Sequence, residues 1–161
     1  MTVFNSHKIF QGIEDFQTSG NVLVDNGGKI VFTNGCFDIF HVGHVNCLES
    51  SKGAGDILIV GLNDDDSVRR LKGSERPINS WMDRAAILAA LSCVDVVIGF
   101  SEDTPLELIR TLRPSVITKG GDYSMGEMIG KDFVESYGGE IIIFPHVEGR
   151  SSTGIIQKLK K

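Results

Sequence analysis

Short apolar runs alternate with stretches suited to helices along most of this chain, and this alternation constrains the fold more than any other feature. The apolar runs lie at residues 29–34, 57–62, 94–100, 116–118 and 141–144. Unbroken runs of this kind are typical of parallel strands that are buried on both faces of a sheet. We expect helices between and after them, at about 42–52, 81–92 and from Ser152 onward. The pattern predicts an α/β fold, a single doubly wound Rossmann-like domain with a five-stranded parallel sheet.

The first 28 residues depart from this pattern, and we expect them to form an N-terminal helix and a linker. An amphipathic helix is predicted over residues 5–19 because several apolar residues share one stripe. The stripe consists of Ile9, Phe10, Ile13 and Phe16. Glycines at 20, 27 and 28 then break the helical pattern. The main domain is therefore predicted at residues 29–161.

Composition limits the classes of partner. The formal net charge of −5 argues against non-specific binding to nucleic acid, which requires a basic surface. The apolar runs are too short to cross a membrane. Three cysteines are too few, and odd in number, for a disulfide framework, so we expect a reduced, cytoplasmic setting.

The densest functional signal lies over residues 33–44, in the turn between the first long strand and the helix that follows it. Gly35 permits a tight turn, and Gly43 permits close approach of a ligand to the backbone. His41 and His44 reach the helix N-terminus, where free N–H groups and the helix dipole favour anions. Two imidazole donors there suit a phosphate that passes through a charged transition state. The alternative is a pair of surface histidines beside an unrelated turn.

A zinc site is a second interpretation of the same segment. Its ligands would be Cys36, His41, His44 and Cys47. Residues three apart on one helix drift by about 60° per step, which does not favour a shared metal ion. We therefore expect no metal ion held by the protein alone.

Two later segments leave their roles open. Arg69, Arg70, Lys72 and Arg76 are either a solvated basic face or a phosphate clamp beside Gly73. The segment 119–123 follows a strand, where glycines permit close approach of a ligand and Asp122 is able to accept a sugar hydroxyl. A plain turn is the alternative for this segment.

The segment from Gly35 to His44 resembles the cytidylyltransferase-like nucleotidyltransferases, whose signature is Gly-x-Phe-Asp-x-x-His-x-Gly-His. Three further segments are similar to one branch, the adenylyltransferase domain of bacterial enzymes that make ADP-heptose for lipopolysaccharide. These segments are 70–79, 119–123 and 151–156. The resemblance implies that the domain transfers AMP from ATP to D-glycero-D-manno-heptose 1-phosphate. The products would be ADP-heptose and pyrophosphate.

The resemblance also implies a set of site residues. The catalytic residues would be His41, His44 and Lys72, with Lys72 in a mobile loop. The nucleotide-binding residues would be Thr33, Asn34, Gly35, Cys36, Phe37, Gly43, Arg84, Lys119, Gly120, Ser151, Ser152 and Thr153. The acceptor-binding residues would be Asp38 and Asp122, although Asp38 equally suits a role in holding the turn together. The implied partners are ATP with Mg²⁺ and a sugar 1-phosphate, in a homodimer or higher oligomer.

Two departures from the family pattern keep other functions open. Related cytidylyltransferases have an arginine where this chain has His146, and the heptose branch commonly has an asparagine where this chain has Gly154. One alternative is a cytidylyltransferase for glycerol 3-phosphate or another small phosphorylated alcohol. Another, of a different class, is a nucleotide-binding regulatory module without turnover.

Overall fold

A computed structural model describes residues 6–121, 124–145, 147–149 and 151–159. The strands are β1 Ile9–Phe10, β2 Ile30–Gly35, β3 Ile57–Asn63, β4 Val96–Phe100, β5 Val116–Gly120 and β6 Glu140–Phe144. The α-helices are α1 Ile13–Asp15, α2 Val42–Lys52, α3 Asp65–Lys72, α4 Trp81–Ala90, α5 Leu106–Leu112, α6 Lys131–Glu135 and α7 Ser152–Leu159. Short 3-10 or π turns lie at Ser6–Lys8, Phe16–Gly20, Asn21–Leu23 and Met125–Glu127.

The strands form one parallel sheet in the order β1-β4-β3-β2-β5-β6. The α/β class and the parallel sheet agree with the prediction, but the number of strands does not. Five strands were predicted and the sheet has six, because β1 extends the edge beyond β4. Chain order runs outward from β2 to β4 on one side and from β5 to β6 on the other. The sheet therefore has a switch point between β2 and β5.

The single helix predicted over residues 5–19 is wrong. Ile9 and Phe10 instead pair with Val97 and Ile98 as a strand, and only short helical turns follow them. The apolar residues that suggested a helix instead pack at the edge of the sheet. There the Phe10 and Phe16 rings meet edge to face with centroids 5.2 Å apart. Tertiary packing of these rings has overridden the local periodicity. The domain boundary predicted at residue 28 stays a prediction, although β1 belongs to the same sheet as the later strands.

The two faces of the sheet carry separate apolar cores. Phe32, Ile98 and Ile117 belong to the core on one face, which also takes in residues of α5 and α6. Val31 and Val60 belong to the core on the other face, with residues of α2 and α4. Alternate residues of each buried strand thus point to opposite cores, as continuous apolar strands require.

Local capping sets where the helices near the site begin. Asp64 caps α3 by accepting a hydrogen bond from the Ser67 amide at 2.7 Å, and Ser80 caps α4 by accepting one from the Asp83 amide at 3.3 Å. Short polar side chains suit this position because their oxygens accept from the free N–H groups of a first turn. They fix the helices that carry Lys72 and Arg84 relative to the strand ends.

Candidate active site

Most of the predicted site residues converge on one cavity of about 550 Å³ at the carboxyl ends of the strands. The cavity lies over the switch point between β2 and β5, where open parallel sheets bind their ligands. The predicted residues that line it are Thr33, Asn34, Gly35, Cys36, Phe37, Asp38, His41, Gly43, His44, Lys72, Lys119, Gly120, Ser151, Ser152 and Thr153. Asp122 falls outside the described residues, as does His146.

The turn after β2 has backbone angles that its residue types do not predict. Phe37 and Ile39 have φ angles of 47° and 49°, in the left-handed region that residues with a side chain seldom adopt. Such conformations persist only where the surroundings hold them, and they concentrate at functional sites. The turn therefore needs hydrogen bonds within the chain that hold this conformation.

The Asp38 side chain holds the turn in this conformation. Its carboxylate is buried and accepts four hydrogen bonds, from Arg76 Nε at 2.7 Å and from the amides of Ile78 at 2.8 Å, Asn79 at 3.0 Å and Ile39 at 3.1 Å. Burial by itself would raise the pKa of Asp38, but hydrogen bonds from Asn79, Ile78 and Arg76 outweigh it and lower the pKa. A carboxylate has about four acceptor positions, and all are used within the chain. The turn-holding role is thus visible, whereas the predicted contact with the acceptor stays a prediction without structural support.

His41 and His44 hold one another in a defined protonation state. His41 Nδ1 accepts a hydrogen bond from the Gly43 amide at 3.1 Å, and His44 Nδ1 accepts one from the His41 amide at 3.3 Å. A ring nitrogen that accepts carries no proton, so each neutral ring has its proton on Nε2. The two rings are stacked, with centroids 3.9 Å apart. Both rings line the cavity, and each carries its proton on Nε2.

Burial also keeps His44 uncharged. It lowers the pKa of His44 to about 4, with the nearby His41 acting in the same direction and Asp38 acting against it. His44 is consequently a neutral hydrogen-bond donor at pH 7. Such a donor can stabilise charge that develops on a phosphate without itself binding a proton.

Three basic side chains line the cavity around Cys36. They are Lys72, Arg76 and Lys119. Burial raises the pKa of the Cys36 thiol, and the charges of Lys72, Arg84, Arg76 and Lys119 oppose that rise. Lys72 is the last residue of α3 rather than part of a loop, and the loop begins at Gly73. Arg69 and Arg70 instead pair with Asp66 and Asp103, so the predicted basic cluster divides into cavity and surface members.

Arg84 lies behind the turn instead of lining the cavity. Its side chain is fully buried, and its guanidinium donates to the carbonyls of Cys36 at 2.6 Å and Asn63 at 2.9 Å. It also donates to the Asn79 carbonyl at 3.2 Å and to Asp65 at 2.7 Å. The predicted contact with nucleotide stays a prediction. The observed contacts make Arg84 a support for the turn of residues 36–41 after β2, the motif turn.

The N-terminus of α7 closes another side of the cavity. Ser152 Oγ donates to the Asp38 carbonyl at 2.6 Å, and Ser151 Oγ accepts from the Gly154 amide at 3.0 Å. These bonds tie the last helix to the motif turn, although the two are more than a hundred residues apart in sequence. Free N–H groups at a helix start favour anions.

The cavity also has a wall that the sequence analysis did not assign. It is formed by Asn46, Cys47, Asn63, Leu71, Asp103, Thr104, Pro105, Ile117, Gly121, Glu127, Met128, Ile129, Phe144, Pro145 and Val147. The position of Asp103–Pro105 just after β4 was an available signal, because loops at strand ends surround such sites. No sequence signal marked Met128 and Ile129, since they follow a turn and a short helix in which apolar residues show no clear periodicity.

The described residues do not bring the proposed zinc ligands together. Among them, no three His, Cys, Asp or Glu side chains are arranged to hold a metal ion. Likewise, none of the helices within the described ranges is both long and apolar enough to span a membrane.

Comparisons with known proteins agree with this geometry. The family model described as cytidylyltransferase-like matches residues 32–158. Over 133 residues the chain is 59% identical to the bifunctional protein HldE of Geobacter metallireducens and 53% identical to that of Helicobacter hepaticus. These matches cover 83% of this chain but 27% of each relative, so the chain spans about a quarter of their length.

Two solved structures share the fold. A lipopolysaccharide core biosynthesis protein from Thermoplasma volcanium superposes with a TM-score of 0.62 at 30% identity, over 77% of this chain and all of that one. A pantoate–β-alanine ligase from Francisella tularensis superposes with a TM-score of 0.65 at 21% identity, over 90% of this chain and 68% of that one. The second likeness bears on the fold alone.

Proposed function

Because this chain belongs to the cytidylyltransferase-like family and is a nucleotidyltransferase, we propose that it transfers AMP from ATP to D-glycero-D-manno-heptose 1-phosphate. The observation that carries the proposal is the stacked pair His41 and His44, placed at a helix start in a cavity with basic walls. Similarity to the HldE proteins and to a lipopolysaccharide core biosynthesis protein supports a sugar phosphate as the acceptor.

The proposed reaction needs no general base. A phosphate monoester has a second pKa of about 6, so the acceptor is mostly dianionic at pH 7. One of its oxygens attacks the α-phosphorus of ATP and forms the new O–P bond. The bond from the α-phosphorus to the bridging oxygen of the β-phosphate breaks, and its electron pair leaves with pyrophosphate. Catalysis then consists of positioning and of stabilising charge.

The residues divide these two tasks. His41 and His44 donate from Nε2 to the non-bridging oxygens of the α-phosphate, where negative charge builds up in the transition state. Lys72 and Arg76 hold oxygens of the departing pyrophosphate. The Asp38 carboxylate keeps Arg76 in place through the 2.7 Å ion pair. The first N–H groups of α7 add further donors for the phosphates.

Mg²⁺ fits this site as a companion of ATP. Three carboxylates among the described residues line the cavity, namely those of Asp38, Asp103 and Glu127. They already bind Arg76, Arg70 and the Ser124 amide, respectively. Magnesium in nucleotide sites is commonly held by phosphate oxygens and water with few protein ligands, which suits such a wall. The ion would supply neutralisation of the triphosphate charge.

The experiment is pyrophosphate release over a matrix of substrates. ATP, CTP, GTP and UTP are each paired with D-glycero-D-manno-heptose 1-phosphate, glycerol 3-phosphate and common hexose 1-phosphates, all with Mg²⁺. Release with ATP and the heptose 1-phosphate, lost with His44→Ala, supports the proposal. Preferential release with CTP and glycerol 3-phosphate would replace it by the cytidylyltransferase alternative.

A further inference from the structure

We infer that Lys119 binds the phosphate of the acceptor, and that it does so at a subsite separate from the one that holds pyrophosphate. This inference rests on the proposed function, because it assigns the two phosphate groups of that reaction to different parts of the cavity. Sequence resemblance alone places Lys119 with the nucleotide.

The hydrogen bonds of Lys119 place it in the crevice of the switch point. Lys119 is the penultimate residue of β5, and its Nζ donates to the Asn34 backbone carbonyl at 2.9 Å and to Asn34 Oδ1 at 3.1 Å. Asn34 lies at the end of β2, on the neighbouring strand. The ammonium group thus bridges the two strands between which the sheet reverses its order, and it lines the cavity there.

The alternation of the strands shows which face of the sheet this is. Phe32 and Ile117 belong to the core with α5 and α6, and Asn34 and Lys119 follow them by two residues. Residues two apart on a strand share a face. Thr118, one residue earlier than Lys119, instead bonds Ser51 of α2 at 2.7 Å on the opposite face. The Lys119 side chain therefore leaves β5 on the face away from α2, and its charge still acts on Cys47 of α2.

Of the two side chains assigned to pyrophosphate, Lys72 is near enough for its charge to act on Lys119, so Arg76 and the start of α7 define the pyrophosphate subsite. Ser152 at the start of α7 bonds the carbonyl of Asp38, and Arg76 bonds the Asp38 carboxylate. Both groups are therefore anchored to the turn that leads into His41 rather than to the β2–β5 crevice. An in-line displacement needs the attacking and leaving oxygens on opposite sides of the phosphorus. With the α-phosphate at the histidines, the crevice is left for the attacking phosphate.

The charge on Lys119 suits a dianion. Burial lowers the pKa of Lys119 to about 8, and the Lys72 charge acts in the same direction. Lys119 is still mostly protonated at pH 7, as a desolvated cation in the cavity wall. A desolvated cation gains more from a phosphate partner than one in water does.

Two-substrate kinetics of Lys119→Met test the inference, with Lys119→Arg as the rescue and Lys29→Met as the control. Lys29 precedes β2 at the amino ends of the strands, far from the cavity, and its side chain forms a 3.6 Å exposed ion pair with Glu140. Loss of a charge-assisted bond predicts a KM for the acceptor that rises roughly 10- to 100-fold in Lys119→Met, with the KM for ATP within about twofold. Lys119→Arg should recover much of the loss. A rise in the KM for ATP alone, or an equal rise in both constants, would overturn the inference.

A second measurement does not depend on a variant that folds. Cys47 lines the cavity against Gly120, the neighbour of Lys119, whereas Cys93 is absent from the lining and serves as an internal control. Alkylation of each cysteine by iodoacetamide is followed by peptide mass spectrometry, with and without the α,β-methylene analogue of ATP. The acceptor should slow alkylation of Cys47 beyond the effect of the analogue, and not that of Cys93. No added protection by an acceptor that the enzyme uses would overturn the inference.

The two proposals fail in different ways. If the wild-type enzyme uses another phosphorylated acceptor, the proposed function fails and the KM test is run on that acceptor. If heptose 1-phosphate is used and Lys119→Met changes only the KM for ATP, the proposed function stands and the Lys119 inference fails.

Discussion

His41 and His44 derive their state from one another and from the backbone that they cap. Each Nδ1 accepts an amide hydrogen, so the helix start selects the Nε2–H form of both rings without help from a carboxylate. This arrangement differs from sites in which a carboxylate orients the imidazole and favours its cation. In the proposed reaction the rings donate hydrogen bonds and exchange no protons.

The protonation state of His44 gives a first prediction. Its imidazole should titrate with a midpoint near 4, because burial and the adjacent His41 disfavour the cation. The measurement is an NMR pH titration of the histidine ring protons, assigned with His44→Asn. A midpoint near the ordinary value of about 6.5 would contradict the account of a buried neutral donor.

Lys72 gives a second prediction at the residue scale. Lys72→Met should lower kcat/KM by about 10- to 100-fold, because it removes a charge-assisted bond to the triphosphate. Arg69→Met is the matched control on the same helix, since Arg69 pairs with Asp66 at the surface. Steady-state kinetics with varied ATP give the result. Unchanged kcat/KM in Lys72→Met would remove Lys72 from the site.

At the scale of elements, Arg84 is the point where four pieces of the chain meet. Its guanidinium joins α4 to the motif turn, to the end of β3 and to the first residue of α3. Arg84→Met should lower the free energy of unfolding by about 3–5 kcal/mol, because it leaves buried acceptors and Asp65 without their partner. Urea unfolding measures this. Arg110→Met, which breaks an exposed pair with Glu107, should cost less than about 1 kcal/mol. Equal effects of the two substitutions would contradict the structural role of Arg84.

The elements show which sequence signals were sufficient. The helix from Val42 to Lys52 has the bounds that the sequence predicted, and the helix predicted at about 81–92 is observed at Trp81–Ala90. These signals are local, so they can be interpreted without the fold. The edge strand β1 is two residues long and exists only because β4 lies beside it. No local pattern distinguishes such a strand from a turn of amphipathic helix.

The site was partly predictable because the long strands could be identified from the sequence. Residues at the carboxyl ends of the long strands were expected to meet, and those within the described ranges line one cavity. Three of the four bonds to Asp38, and the burial of Arg84, depend on contacts across some 20 to 50 residues of sequence. Residue types alone therefore suggested ligand contacts where the folded chain shows support for the turn.

At the scale of the whole molecule, the low pKa of His44 links stability to pH. Between pH 6.5 and 4 the unfolded chain binds a proton on His44 that the folded chain does not, so the free energy of unfolding falls as pH is lowered. The contribution has a slope of up to about 1.4 kcal/mol per pH unit. Urea unfolding at several pH values should show a shallower slope for His44→Asn than for the wild type. Identical slopes would mean that His44 titrates normally in the folded state.

The predicted oligomeric state stays a prediction.

The most direct test of the central claim is a ³¹P NMR spectrum of one reaction mixture that contains ATP, D-glycero-D-manno-heptose 1-phosphate, Mg²⁺ and the enzyme. Nucleotidyl transfer predicts a new pair of diphosphate ester signals, from a product that contains both the α-phosphorus of ATP and the sugar phosphate. Pyrophosphate should appear in equal amount. Formation of ADP with a bisphosphorylated sugar, or of AMP and pyrophosphate without a sugar nucleotide, would contradict the claim that this cavity joins AMP to a sugar phosphate.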